Sequence, residues 1–288
     1  MDITLLGTGS PAPVPSHVGT GIHLATDEES FLVDCGPGTV YRMVEAGINP
    51  AAIDHLLFTH HHVDHNGDFF YFLITRCTRS TDPITIAGPQ PETDRLLESL
   101  HAVYEADIAY RERVYQQPTG LTEIEPTTVT DGTTIETATV HIEAAAVRHS
   151  IETYGYRITD HTTDDTVVIS GDTASFDGLI ELADGADILI QDSCVSPTAD
   201  PSVIGSEEYV WDSYLGELPD ELVRGLTDVH CTPRECGEIA AAADVDTLVL
   251  THHLPYRDQD ACKAAAASVF DGTVIIASDG LRLSSGSH

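Results

Sequence analysis

Ten consecutive residues, Thr59-His60-His61-His62-Val63-Asp64-His65-Asn66-Gly67-Asp68, hold the densest run of chemistry-bearing side chains in this sequence. Imidazole nitrogens and carboxylate oxygens are ligands for divalent metals, and a set this rich in imidazole favours zinc, with manganese or iron as alternatives. His60, His62, Asp64 and His65 cannot all face one way, so a tight loop here would divide them between two adjacent metals. His60 and His62 keep an alternating register and leave His61 as the odd one out, steadying a ligand or facing solvent. The segment follows the apolar run His55 to Thr59, so a buried strand would carry it to the edge of a sheet. A surface histidine tract would not be expected behind such a strand with Asp in this register.

Two metals need more than four ligands, and the sequence offers others downstream. His149 ends the run Val140 to Arg148, Asp172 lies in Ser170-Gly171-Asp172-Thr173 after Val167 to Ile169, and His252 closes Leu248 to Thr251. Each is a ligand type placed where an apolar strand stops and a rigid sheet can aim it. His253 competes with His252 for the same role. Two nearby dications lower the pKa of a shared water, and the metal-bridging hydroxide so formed can attack phosphorus, sulfur or carbonyl carbon.

The elements that must position these residues are short. Apolar, β-branched runs at Ile3 to Leu6, Ile22 to Ala25, Phe31 to Asp34, His55 to Thr59, Ile84 to Ala87, Val140 to Val147, Thr166 to Ser170, Ile188 to Gln191, Thr247 to Thr251 and Val274 to Ala277 read as strands. Helices are expected over Thr39 to Ala46, Glu92 to Tyr115, Phe176 to Ala183, Pro233 to Ala243 and Gln259 to Phe270. Their alternation indicates an α/β fold, with hairpin sections near 3–34 and 121–170. His55-Leu-Leu-Phe-Thr-His60 and Thr247-Leu-Val-Leu-Thr-His252 echo one another, as if two sheets present loops to one shared edge. Residues 196–227 break the pattern with Pro, Gly, the only Trp and many acids, and read as an inserted loop or lid. We read residues 1–288 as one domain.

Composition bounds the setting. Acidic residues number 47 against 13 basic, a formal net charge of −34, and Lys263 is the only lysine. Acids scattered along the whole chain are a solvation signature: at molar salt the Debye length falls to about 3 Å and their repulsion is screened. A halophilic, salt-rich cytoplasm is the expected setting, since the N-terminus carries no export signal and no apolar run is long enough to cross a membrane. Cys35, Cys77, Cys194, Cys231, Cys236 and Cys262 lack paired spacing and read as reduced thiols, none of them singled out as a ligand; for Cys231 and Cys236 packing is favoured over a soft metal pair.

The order HxHxDH, then His149, then Gly171-Asp172-Thr173, then Leu250-Thr251-His252 resembles the metallo-β-lactamase superfamily, in the branch of ribonuclease Z and related phosphodiesterases and arylsulfatases. The resemblance extends to Gly7-Thr8-Gly9-Ser10-Pro11, Val33 to Thr39, Tyr154 to Ile158 and His230-Cys231-Thr232, covering nearly the whole chain. It implies a four-layer αββα sandwich of two mixed sheets with flanking helices. It further implies one metal on His60, His62 and His149, a second on Asp64, His65 and His252, and Asp172 between them. Asp64 would also help accept the water's proton, and His230 would donate a proton or hydrogen bond to the leaving oxygen. Asp192 falls where relatives often carry Glu, and would orient a neighbouring side chain.

The function expected is a dinuclear hydrolase of a small or medium anionic ester, phosphodiesters first and sulfate esters second. A ribonuclease Z-type endonuclease acting at tRNA 3′ ends is the alternative, and a metal-dependent sensor without turnover a third reading. tRNA is disfavoured because only Ser150 to Gly171 separate His149 from Asp172, leaving a hairpin and no basic arm. So acidic a chain also has little surface to neutralise phosphates. The sequence is compatible with a homodimer without fixing the oligomeric state, and no membrane partner is expected.

Overall fold

The computed structural model describes residues 1–11, 14–80, 82–116, 118–121, 124–195, 225–254 and 258–286. Of the segment read as a lid, 196–224 lies outside the described residues.

Among the described residues, fourteen strands form two seven-stranded sheets. In the first, β1 (Asp2–Gly7), β2 (Gly21–Ala25) and β3 (Ser30–Val33) run antiparallel, followed by parallel β4 (His55–Leu57), β5 (Thr85–Pro89) and β6 (Thr127–Val129). The second repeats this plan. Antiparallel β7 (Thr134–Glu136), β8 (Val140–Ala146), β9 (Tyr154–Asp160) and β10 (Thr166–Ile169) lead into parallel β11 (Ile188–Asp192), β12 (Thr247–Thr251) and β13 (Thr273–Ile276). The last strand, β14 (Leu281–Ser284), returns to pair with β1.

Helices connect the parallel strands: α1 (Thr39–Glu45), the short α2 (Val63–Asn66) with α3 (Phe69–Cys77), and α4 (Glu92–Tyr115) on the first sheet; α5 (Asp177–Ala183), α6 (Pro233–Ala242) and α7 (Gln259–Ala267) on the second. Both faces of each sheet are covered, which is why the parallel strands read as unbroken apolar runs. Phe31, Val33, Leu57, Val167, Ile169, Ile190 and Val249 point between the sheets. Their neighbours Leu32, Leu56 and Phe58 face the helices of the first sheet, and Val168, Leu189, Leu248 and Leu250 face those of the second. Three apolar layers between four layers of structure make the αββα sandwich.

Every strand expected from the sequence is present, within a few residues at its ends. Four strands and two helices were not singled out: β6, β7, β9, β14, α2 and α3. The first two strands are three residues each, and β14 alternates exposed and half-buried positions at an edge, so none makes a continuous apolar run. The echo between β4 and β12 is not one of equivalent strands. β4 is flanked by β3 and β5, and its counterpart in the second sheet is β11, between β10 and β12.

Candidate metal centre

The two sheets bring the ends of β3, β4, β8, β10, β11 and β12 to one edge. Carboxyl ends of parallel strands are where open α/β sheets place ligands, and all seven expected ligand positions meet here. His60 Nε2 and His149 Nε2 lie 3.1 and 3.2 Å from His62 Nδ1. His252 Nε2 lies 3.2 Å from Asp64 Oδ2, and His65 Nε2 3.7 Å from the same oxygen. Asp172 Oδ2 stands between the two groups, 3.3 Å from His252, 3.4 Å from His65, 3.7 Å from His60 and 3.9 Å from His149. Asp64 and His65 sit on the one-turn helix α2 and not on the loop expected; the turn rotates them away from His62, which precedes it.

The partners on the outer side of each ring fix which nitrogen faces inward. His149 Nδ1 donates to the Val229 carbonyl at 3.1 Å, and His65 Nδ1 to Asp34 Oδ2 at 2.8 Å. Thr59 Oγ1 donates to Asp34 at 2.7 Å and so accepts from His60 Nδ1 at 3.1 Å. In the neutral form of each of these three rings, the form that binds a metal, Nε2 is left with its lone pair directed into the cluster. His65 Nε2 and Asp64 Oδ1 are buried without a hydrogen-bond partner. Converging lone pairs and orphaned buried acceptors are costly unless something positive satisfies them, and this donor set suits a divalent cation. The residues therefore fit metal ions.

Charge in the nest is divided. Burial, reinforced by neighbouring rings, pushes the pKa of His60 well down, and burial also lowers those of His62 and His149. His65 resists burial because the Asp172 and Asp34 carboxylates raise it to about 10, and His252 is likewise held high by Asp172, Asp192 and Asp64. Asp172 is held well below the usual carboxylate range by His252 and His65 despite its burial.

His230 joins the edge from the segment before α6. Its Nδ1 donates to Asp192 Oδ2 at 2.6 Å, and its ring stacks on His252 at 5.3 Å. Asp192 also accepts from the Thr173 and Cys194 amides at 3.1 and 2.9 Å and lies 3.4 Å from His252 Nδ1. It thus touches His230, His252 and the backbone next to Asp172. Carboxylates close to His230 raise its pKa against the effect of burial.

His61 turns away. Its Nε2 donates to Thr93 Oγ1 at 2.9 Å under α4, since Thr93 donates onward to the Pro89 carbonyl. His253 also faces elsewhere, with Nε2 donating to the Ala277 carbonyl at 3.0 Å, so His252 alone of the pair reaches the cluster. Asp34 was given no role by the sequence. Its left-handed backbone (φ 60°) after β3 turns the carboxylate to Thr59 and His65, and only the Val33-Asp34-Cys35-Gly36 pattern hinted at it. Cys194 is not singled out as a ligand by the sequence, yet its sulfur lies with Asp192, His230 and His252 in a group of ligand atoms within 4.8 Å of one another. Cys231 and Cys236 are buried against β11 in the second sheet's outer core.

A sheet-edge nest of imidazoles and carboxylates in an αββα sandwich defines a metal-dependent hydrolase. A beta-lactamase superfamily domain matches residues 29–253. Ribonuclease Z of Mycolicibacterium gilvum is 32% identical over 288 residues, covering 97% of this chain and 94% of that one. Among solved structures, the metallo-β-lactamase fold protein YhfI of Bacillus subtilis aligns with a TM-score of 0.74 at 22% identity over 98% of both chains. Human tRNase Z, short form, aligns at 0.67 and 21% identity over 99% of both. The chain belongs to the metallo-β-lactamase superfamily, as a ribonuclease Z-like member. Among the described residues no helix is long and apolar enough to cross a membrane.

Proposed function

We propose that this chain is a phosphodiesterase of the ribonuclease Z kind, cleaving RNA at the bond that joins a tRNA to its 3′ trailer, with residues 1–288 as one hydrolase domain. Two divalent cations, zinc in the first instance, would occupy the nest: one on His60 Nε2, His62 Nδ1 and His149 Nε2, the other on Asp64, His65 Nε2 and His252 Nε2. Asp172 Oδ2 would be shared. Bound there, the cations supply an acidified water and neutralise charge on the phosphate oxygens. Asp64 stands ready to accept a proton from that side, and its second oxygen is unpartnered. His230, gripped by Asp192 through Nδ1, keeps its other nitrogen for the leaving oxygen.

The observation that carries the metal reading is the set of fixed ring orientations: three inward Nε2 lone pairs held by Val229, Asp34 and Thr59. The choice of RNA is supported by the near full-length likeness to ribonuclease Z, and it reverses the ranking drawn from the sequence. There the missing arm counted against tRNA. The alignment with the M. gilvum protein spans 288 positions while using 97% of this chain, which leaves no room for a long inserted arm in that relative either. A small phosphodiester is the second reading, favoured by the net charge of −34, which works against holding a polyanion. The test is turnover in high salt of a precursor tRNA, bis-p-nitrophenyl phosphate and p-nitrophenyl sulfate. Cleavage of the RNA at its 3′ side, with turnover of the diester, is expected. Diester turnover with intact RNA would move the assignment to a small substrate, and sulfate turnover alone would refute both.

A further inference from the structure

In a chain with so few cations, Arg42, Arg95, Arg111 and Arg234 are each paired with a carboxylate. Arg148 is exposed and enters no ion pair among the described residues. Its guanidinium instead lies over the Phe176 ring, 5.4 Å from the centroid. Phe176 packs against the outer core of the second sheet, so the ring is a fixed platform. The Arg148 backbone is pinned as well: its amide donates to Thr173 Oγ1 at 3.1 Å and its carbonyl accepts from the Ala174 amide at 2.9 Å. Arg148 therefore sits directly beside His149 and beside the turn that carries Asp172, two residues of the nest. A guanidinium with no carboxylate partner among the described residues, planar and already oriented on an aromatic face, is well suited to a bidentate contact with phosphate.

We propose that Arg148, seated on Phe176, is a substrate subsite that binds a phosphate of the RNA strand neighbouring the one that reacts, with the Phe176 edge available to an adjacent base. The assignment rests on the RNA reading above. It requires a substrate with more than one phosphate, so a diester such as bis-p-nitrophenyl phosphate, which has only one, cannot engage it.

The experiment measures inhibition of bis-p-nitrophenyl phosphate turnover by a short 2′-O-methyl RNA, a competitor that need not be cut. Arg148→Gln is expected to raise the ratio of the RNA Ki to the diester KM about ten-fold, the scale of a lost charged hydrogen bond. Arg148→Lys should fall between Gln and wild type, and Phe176→Leu should raise the ratio by a smaller factor. Metal content measured alongside separates this from damage to the nest. A ratio that stays at the wild-type value in Arg148→Gln, or one that moves only with loss of metal, overturns the subsite. Failure of the RNA reading has a different signature, wild-type protein that leaves precursor tRNA intact.

Discussion

Asp172 Oδ2 lies within 3.9 Å of four inward ring nitrogens drawn from both halves of the chain, so this one carboxylate ties together the two groups assigned to the cations. Asp64→Ala and His65→Ala are expected to abolish phosphodiester turnover and to lower bound metal while circular dichroism shows the fold intact. Unchanged turnover in either variant would refute the roles given to them. His230→Ala should behave differently, losing about a hundred-fold or more in kcat with metal content retained; loss of metal would mean that His230 is a ligand. Ligand types at strand ends were legible in the sequence because apolar runs locate the ends. The residues that aim them were not, since Asp34 meets His65 only once β3 and β4 pair and Asp192 meets His230 across 38 positions.

At the scale of elements, the nest depends on backbones packed against one another with no room for side chains. A Cβ on Gly36 would lie 1.9 Å from the Asp64 carbonyl oxygen, so Gly36→Ala must push α2, and the ligands on it, out of place. We expect that variant to lose about 1 to 3 kcal/mol of stability in denaturant titrations and to bind metal more weakly; wild-type values of both would show that α2 has slack. His252 adopts a left-handed conformation (φ 59°) at the end of β12, a cost of about 1 to 2 kcal/mol for a residue with a side chain, and the turn aims it at Asp64. Far from the metals, Glu29 at the β2–β3 turn joins the two sheets. It accepts from Thr137 Oγ1 at 2.7 Å, the Thr139 amide at 2.8 Å and the Thr139 hydroxyl at 2.5 Å, and His55 Nε2 donates to it at 3.1 Å. Burial opposes its charge, but these bonds bring its pKa down to about 2 from an ordinary 4.5. A lowered folded pKa gives stability that is complete above the ordinary value and lost as pH falls through the folded one. The difference in thermal midpoint between wild type and Glu29→Gln should therefore be full at neutral pH and close between about pH 4.5 and 2; a difference independent of pH would contradict the clasp. No pattern in the sequence marked this clasp, because it links turns more than a hundred residues apart.

For the whole molecule, the layers were legible and the closure was not. Continuous apolar runs announced the doubly covered strands, whereas β14, which completes the first sheet beside β1, has half its residues exposed. The net charge of −34 leads us to expect a thermal midpoint that climbs steadily from about 0.1 M to molar KCl as the Debye length shrinks from about 10 to about 3 Å; a flat response would refute the halophilic reading. If the sandwich gathers seven side chains around a pair of cations, a crystal of zinc-equilibrated protein measured at the zinc absorption edge will show it. Two anomalous peaks are expected, one among His60, His62 and His149 and one among Asp64, His65 and His252, with Asp172 reaching both. A single peak elsewhere, or none at this edge, would contradict the two-cation centre.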